Sequence, residues 1–182
     1  MESSILRDEV TPLLTKQQID NRIAEMGAQI TREYAGRQVH LVCILKGACV
    51  FLSDLARAID LHVSLDFMAV SSYGKGTKTT GEVRITKDLD TSIENVDVII
   101  VEDIVDTGLT LNYLRNLLIS RKPRSLKIAT LLDKPSRRIQ PVQVEYVGFE
   151  IPDAFVIGYG LDFAEKYRNL QDVCVLSPAS IK

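Results

Sequence analysis

The sequence predicts an α/β protein in which helices flank a mostly parallel, twisted sheet. Short, nearly continuous apolar runs alternate with segments whose apolar residues recur every three or four positions. This alternation is typical of βαβ units with right-handed crossovers, in which strands are covered on both faces. The final third of the sequence is less helical, and we expect it to form a small hood lobe over one edge of the sheet. No linker, repeat or low-complexity segment interrupts the chain, so residues 1–182 are predicted to form one domain.

The first part of the chain predicts two helices and two strands. Thr15 to Gln18 match a capping box, and the apolar residues that follow recur at helical spacing until Gly36. Lys46-Gly47 separates an apolar run from a second amphipathic segment. The predicted elements are a helix that starts at Thr15 and closes near Gly36, a strand from Val39 to Leu45, a helix from Ala48 to Ile59 and a strand from Leu61 to Val70.

The remainder of the chain predicts mostly strands, with one further helix. Residues 71–81 are polar, contain three glycines and lack any hydrophobic period. A loop of this length inside a compact domain is usually functional or disordered. The helix after the strand at Val96 buries Leu111, Leu114, Leu117 and Leu118. The predicted strands cover Val83 to Ile85, Val96 to Val101, Leu126 to Leu132, Val142 to Val147, Phe155 to Tyr159 and Val173 to Leu176.

Composition and charge exclude several classes of protein. With 46% hydrophobic and 25% charged residues the chain is an ordinary globular one. A formal net charge of −2 argues against a general nucleic-acid binder, although Arg121 to Arg124 and Arg137-Arg138 are local basic clusters. No apolar run approaches the roughly 18 residues of a membrane helix, and no secretory signal is evident. We therefore expect a cytoplasmic protein with no membrane partner.

The three cysteines support a reducing compartment. Cys43, Cys49 and Cys174 are an odd number, show no metal-type spacing and all lie in apolar settings. We expect each of them to be a buried core thiol.

The segment from Val101 to Leu111 is the most informative part of the chain. An apolar strand leads into three carboxylates, and a Thr-Gly-x-Thr loop then opens an amphipathic helix. Unpaired amides and the helix dipole favour a phosphate at such a helix start. Carboxylates beside a phosphate are consistent with sugar hydroxyls or a bridging divalent cation. The alternative is an ordinary strand–turn–helix with an acidic turn.

This segment, Val-Glu-Asp-Ile-Val-Asp-Thr-Gly, resembles the phosphoribosyl pyrophosphate (PRPP) motif of the type I phosphoribosyltransferases. Its residues are most similar to the form of the motif in the 6-oxopurine branch of that family. The resemblance implies that Glu102 and Asp103 contact the ribose hydroxyls, directly or through Mg²⁺. It implies that Asp106 lies near N7 of the purine as a general acid/base. The 5′-phosphate loop would comprise Thr107, Gly108, Leu109 and Thr110, with Leu109 standing where some relatives carry a lysine.

Lys46-Gly47 resembles the Leu-Lys-Gly turn that contacts pyrophosphate in this family, where an unusual cis peptide precedes the lysine. Amides at that turn and the Lys46 ammonium could hold an anion. A surface lysine that only caps the strand remains the alternative. The resemblance also implies that Arg168 binds pyrophosphate oxygens.

Ser72-Tyr73, at the start of the polar segment, resembles the start of the family's flexible catalytic loop. A mobile loop would guard a cationic, oxocarbenium-like ribose from water. A disordered surface connection is the alternative.

Residues further along the chain resemble the purine site of the 6-oxopurine enzymes. Lys134 would donate to the 6-oxo group and reject adenine. Phe155 would stack on the base, and Val156 would present main-chain groups to its edge. Asp162 would hold a second Mg²⁺. The alternatives are a solvated lysine, a core phenylalanine and a surface ion pair between Asp162 and Arg168.

The resemblance extends from about Leu13 to Leu176, with its motifs in family order. It implies transfer of the 5-phosphoribosyl group from PRPP to N9 of hypoxanthine or guanine, with Mg²⁺ as cofactor and a homodimer or homotetramer as the assembly. A PRPP-sensing regulator of the same fold that binds RNA is the alternative. An unrelated nucleotide-binding domain lacks support, because neither G-x-G-x-x-G nor a Walker loop occurs.

Overall fold

A computed structural model describes residues 10–72 and 83–177. The described residues form nine strands in two sheets and three α-helices, and strands alternate with helices from β1 to β3. The elements are β1 (Val10–Leu14), α1 (Lys16–Glu33), β2 (Val39–Leu45), α2 (Cys49–Ala58), β3 (Val63–Ser72), β4 (Val83–Lys87), β5 (Asp97–Val105), α3 (Leu109–Ser120), β6 (Ser125–Asp133), a 3-10 turn (Pro135–Arg137), β7 (Tyr146–Glu150), β8 (Val156–Ile157) and β9 (Val173–Leu176).

The main sheet has six strands in the order β4-β3-β2-β5-β6-β7. Every neighbouring pair is parallel except β3 with β4. Helices α1 and α2 pack on one face over Leu41 and Cys43, and α3 packs on the other over Val42 and Ile44. Since successive strand residues point to opposite faces, the continuous apolar run of β2 serves both layers. The predicted fold class is confirmed.

The hood lobe is a second sheet of three antiparallel strands in the order β1-β9-β8. Its outer strand β1 comes from the N-terminal part of the chain, and the sequence did not predict this strand. Val10 pairs with Leu176 and Thr11 with Val175. A five-residue strand that pairs only with a segment more than 150 positions away has little local signal.

Several predicted boundaries match and others needed correction. The bounds of β2 and β9 are as predicted, and Thr15 forms the predicted capping box with Gln18. The residues from Val142 to Glu145 are not a strand, because Val142 and Val144 pack against the α3-side core without pairing. The predicted strand from Phe155 to Tyr159 is reduced to Val156–Ile157.

Cys43 and Cys174 are buried as expected, but the prediction for Cys49 was wrong. Cys49 begins α2 on the helix's outer side, where it is exposed. Within residues 10–72 and 83–177, no helix is both long and apolar enough to cross a membrane.

Candidate active site

The candidate site lies at the carboxyl ends of β2, β5 and β6, which are neighbours in the main sheet. The chain leaves β2 at Lys46, β5 at Asp106 and β6 at Lys134. Lys134 N donates to Val105 O at 2.9 Å, so the ends of β5 and β6 are directly joined. In an open α/β sheet, ligands bind outside the carboxyl ends of the strands. Three motifs far apart in the sequence therefore converge on one edge.

The turn after β2 is packed tightly against the acidic end of β5. The Leu45–Lys46 peptide bond is cis. A methyl group added to Gly47 would lie 1.6 Å from Asp103 Oδ2, so the Asp103 carboxylate occupies the space that any other residue would need. Lys46 is exposed, and its Nζ lies 3.2 Å from Glu165 Oε2 of the hood lobe.

Glu102 and Asp103 lie inside β5, because this strand continues four residues beyond the predicted end at Val101. Burial raises the pKa of Glu102 well above its usual range, and the neighbouring charge of Asp103 is the second largest cause of this rise. Burial also raises the pKa of Asp103 to about 6, although Asp103 Oδ1 accepts the Ile104 amide at 2.7 Å. Two crowded carboxyls with raised pKa values form a site that a cation or a set of hydroxyl donors would stabilise.

The raised pKa of Asp103 predicts a stability cost at neutral pH. The folded state holds this proton more tightly than the unfolded chain, whose carboxyl titrates near 3.8. The contribution of Asp103 to the free energy of unfolding is therefore favourable at low pH and is lost as the pH rises from about 4 through 6. The two-unit difference corresponds to at most about 3 kcal/mol. Asp103→Asn should raise the free energy of unfolding at pH 7.5 and flatten its dependence on pH.

Urea unfolding between pH 4.5 and 7.5, without metal or substrate, measures this effect. Asp90→Asn is the matched control, because Asp90 is an exposed carboxylate that pairs with Lys87 at 3.0 Å. Equal pH slopes for the Asp103→Asn variant and the unmodified protein would contradict the assignment.

The loop between β5 and α3 has the geometry of an anion site. Gly108 precedes the first residue of α3 with φ of +80°, a left-handed conformation that favours glycine. Among the described residues, no side chain caps the amino end of α3. Leu109 N makes only a long contact of 3.4 Å to Thr107 Oγ1, and Thr110 is exposed in the first turn. The amides and dipole at this helix start remain available for a phosphate.

Asp106 and Lys134 are joined by a chain of alternating charges. Arg137 Nε donates to Asp106 Oδ1 at 3.1 Å, and Arg137 Nη1 lies 3.5 Å from Asp153 Oδ2. Asp153 Oδ1 is in turn 3.9 Å from Lys134 Nζ. Lys134 is buried, and its Nζ donates to Ala154 O at 2.6 Å. The alternative that Lys134 is a solvated lysine can therefore be discarded.

The hood lobe places the remaining candidates over this edge. Phe155 is 43% exposed and meets Phe163 edge-on at 5.6 Å, so it is not a core side chain. Val156 is buried in β8. Arg168 Nη2 lies 2.9 Å from Asp162 Oδ1, and the Glu165 amide donates to Asp162 Oδ2. Arg168 Nε is buried and has no hydrogen-bond partner in the described part of the chain, which leaves a donor for an anion.

Two candidates lie wholly or partly outside the described residues. Tyr73 lies outside the described residues, as does the rest of the polar segment 73–82. Ser72 ends β3, but its side chain is likewise outside what the structure describes.

The donor set fits Mg²⁺ shared with a substrate. In residues 10–72 and 83–177, no group of three or more His, Cys, Asp or Glu side chains is arranged to hold a metal. The carboxylates that the resemblance assigns to Mg²⁺ are instead the pair Glu102 and Asp103 and the single Asp162. Mg²⁺ is usually held by one or two carboxylates, with water and substrate phosphates completing its shell.

Sequence reasoning missed several residues of this site. Arg137 and Arg138 were noted only as a basic cluster, yet both bond to Asp106. Glu165, which pairs with Lys46 and Arg168, was not noted at all. In the described residues, six non-glycine residues have positive φ, and four of them lie between residues 159 and 167. Such strained backbone clusters at functional sites, but no residue type marks it in advance.

Comparison with known proteins places the chain among phosphoribosyltransferases. Residues 9–164 match the family described as phosphoribosyl transferase domain. The hypoxanthine-guanine phosphoribosyltransferase of Bacillus subtilis strain 168 is 52% identical over 167 residues, which cover 92% of this chain and 93% of that protein. The protein of the same name from Staphylococcus aureus strain Mu50 is 55% identical over 166 residues, which cover 91% and 93%. A crystal structure of a hypoxanthine phosphoribosyltransferase from Staphylococcus aureus superposes with a TM-score of 0.96 at 52% identity, covering 100% of this chain and 99% of that one.

Proposed function

Because the chain belongs to the phosphoribosyl transferase family, we propose that it is a purine-salvage transferase that acts on hypoxanthine, guanine or both. It would transfer the 5-phosphoribosyl group of PRPP to N9 of the base, giving IMP or GMP and pyrophosphate. The observation that carries this proposal is the convergence of an acidic pair, an uncapped helix start and a buried lysine at one sheet edge. The names of relatives more than 50% identical over nine-tenths of the chain support it.

In the proposed reaction, the bond from ribose C1′ to the pyrophosphate oxygen breaks and a bond from C1′ to purine N9 forms. The amides of Thr107 to Thr110 bind the 5′-phosphate, and Lys46, Gly47 and Arg168 bind the departing pyrophosphate. Asp106 holds the N7 proton as N9 attacks the sugar. Catalysis then rests mostly on positioning and on stabilisation of charge.

Mg²⁺ is the proposed cofactor, held by Glu102 and Asp103 at the ribose and by Asp162 at the hood. Its chemistry is to neutralise the negative charge that develops on pyrophosphate. Ser72 and Tyr73 are proposed to belong to the loop that excludes water from the reacting ribose.

Base recognition is assigned to Lys134, Phe155 and Val156. The Lys134 ammonium donates a hydrogen bond that the 6-oxo group of hypoxanthine or guanine can accept. The 6-amino group of adenine is itself a donor and cannot accept it. Phe155 is 43% exposed, so its side chain is accessible to the base. Val156 would contact the base edge through its backbone.

Lys134→Met is expected to lower kcat/KM for hypoxanthine by roughly tenfold or more, because a charge-assisted hydrogen bond is lost. The ratio of hypoxanthine to adenine turnover should fall with it. Steady-state kinetics with both bases measures the change. Lys16→Met is the control, since Lys16 pairs with Asp20 at 2.6 Å on the surface of α1. An unaltered base preference would remove Lys134 from recognition.

The test of the function is nucleotide formation from PRPP and Mg²⁺ with hypoxanthine, guanine, xanthine and adenine in turn. Turnover of hypoxanthine or guanine, and none of adenine, is the expected result. No turnover of any base by a folded protein that still binds PRPP would reject the enzyme and favour the RNA-binding regulator. Retention on RNA at moderate salt would then be the next observation to make.

Three broader proposals accompany this function. We propose that residues 1–182 form one domain, that the protein is a homodimer or homotetramer, and that it works in the cytoplasm. The three unpaired cysteines support a reducing compartment. Light scattering coupled to size-exclusion chromatography would measure the assembly, and a monomer would reject the oligomer.

A further inference from the structure

A short strap, residues Arg138 to Gln140, lies across Asp106 and Thr107, where β5 leads into the phosphate loop of Thr107 to Thr110. Arg138 Nη1 donates to Asp106 O at 2.7 Å. Ile139 N and Gln140 N both donate to Thr107 O, at 2.9 and 3.0 Å. The strap therefore supplies three donors to two consecutive carbonyl groups of the loop.

These contacts determine which backbone groups of the loop remain free. The carbonyls of Asp106 and Thr107 are taken by the strap, and Gly108 O accepts the amide of Asn112 at 2.9 Å. In the described part of the chain, the amides of Thr107, Gly108, Thr110 and Leu111 have no protein acceptor. A loop whose carbonyls are satisfied and whose amides are free presents donors to an anion.

Arg138 is the fixed member of the strap. Its side chain is only 17% exposed, and its second nitrogen, Nη2, bonds to Asp133 at the carboxyl end of β6. A methyl group added to Gly108 would lie 2.5 Å from Gln140 O and 3.1 Å from Arg138 Cδ, so loop and strap are in close contact. The planar guanidinium fork fixes the angle between its bonds to a carboxylate and a carbonyl, whereas a lysine ammonium on its flexible stem does not fix that angle.

We propose that Arg138 is a positioning residue for recognition of the 5′-phosphate, acting through the carbonyl of Asp106. It ties the phosphate loop to β6 and turns the loop's amides toward the ligand. This role deepens the proposed function and rests on it. In this role Arg138 acts through the loop backbone, so its removal should change affinity for the 5′-phosphate end, whereas the pyrophosphate end, assigned to Lys46 and Arg168, should be unaffected.

The experiment is calorimetric titration of the full chain with two probes, ribose 5-phosphate and, separately, pyrophosphate with Mg²⁺. Arg138→Lys is the principal variant, because it keeps a cation beside Asp133, whereas Arg138→Gln leaves that carboxylate unpaired. We expect Arg138→Lys to weaken ribose 5-phosphate binding about tenfold. Pyrophosphate binding should stay within about twofold. KM for PRPP should rise more than kcat falls.

Two further variants complete the design. Arg121→Gln removes an arginine that pairs with Asp88 at 2.8 Å, remote from the loop, and should change neither affinity. Gly108→Ala forces the loop away from the strap and should reproduce the selective loss of ribose 5-phosphate.

Failure of the inference and failure of the proposed function give different results. Equal losses for ribose 5-phosphate and pyrophosphate, or no loss for ribose 5-phosphate, in a folded Arg138→Lys protein would overturn the positioning role. Failure of the unmodified protein to bind ribose 5-phosphate would instead overturn the proposed phosphate site itself.

Discussion

Replacement of Asp106 by asparagine is expected to lower kcat by about 10²- to 10⁴-fold, the usual range for loss of a general acid or base. Asparagine has the same shape as aspartate but cannot take or share the N7 proton. The Asp106 side chain is 42% exposed, so its change should not disturb the core. Arg137 Nε can still donate to the remaining amide oxygen. The melting temperature and the Kd for PRPP should therefore stay close to those of the unmodified enzyme.

Single-turnover measurement of IMP formation separates this chemical effect from binding. Asp153→Asn is a matched control, because Asp153 is a 53% exposed carboxylate on the same arginine, 3.5 Å from Arg137 Nη1. It should reduce kcat far less than Asp106→Asn. If the Asp106→Asn protein forms IMP at the unmodified rate, Asp106 has no role in proton transfer.

Gly47→Ala is expected to reduce kcat/KM by at least about 100-fold, because a displacement of about 1 Å in a catalytic group can have that effect. The added methyl would lie 1.6 Å from Asp103 Oδ2 and 2.8 Å from Asp103 Cγ. Non-bonded atoms cannot approach this closely, so either the turn after β2 or the Asp103 carboxylate must move to make room for the methyl group. Both belong to the proposed PRPP site, and either movement would weaken PRPP binding.

The control for this prediction is Gly36→Ala. Gly36 has a positive φ of +75°, but in the described part of the chain no heavy atom beyond its two chain neighbours lies within 4 Å of an added methyl. That variant should lose some stability through backbone strain while it keeps its activity. Circular dichroism and PRPP kinetics on both variants separate the two effects. A fully active Gly47→Ala protein would show that the turn after β2 or the Asp103 carboxylate can move without loss of activity.

Much of the fold follows from local patterns in the sequence. The continuous apolar runs of β2 and β5 predict a buried parallel sheet, and strands of a parallel sheet end at one common edge. The motifs at Lys46, Asp106 and Lys134 each follow such a strand, so their proximity follows from the topology. Thr15 with Gln18 predicts the start of α1 through chemistry confined to four residues.

The features that escaped prediction depend on distant contacts. β1 exists because of its pairing with β9, and the sequence near Val10 contains no local indication of it. The turn after β2 approaches Asp103 of β5 so closely only because Gly47 has no side chain, and no spacing rule detects this contact. Arg138 looks like part of a surface basic cluster until the carbonyl of Asp106 is seen beside it. The raised pKa of Asp103 arises from burial, which is a property of the folded chain alone.

The most direct test of the central claim is the stoichiometry of the products. The unmodified protein is incubated with PRPP, hypoxanthine and Mg²⁺, and IMP and pyrophosphate are measured in the same quenched samples. Equal amounts of both, each requiring the base, are predicted for transfer of the phosphoribosyl group to the purine. Release of pyrophosphate in the absence of hypoxanthine would contradict this transfer. Formation of neither product by a folded protein that binds PRPP would also contradict it.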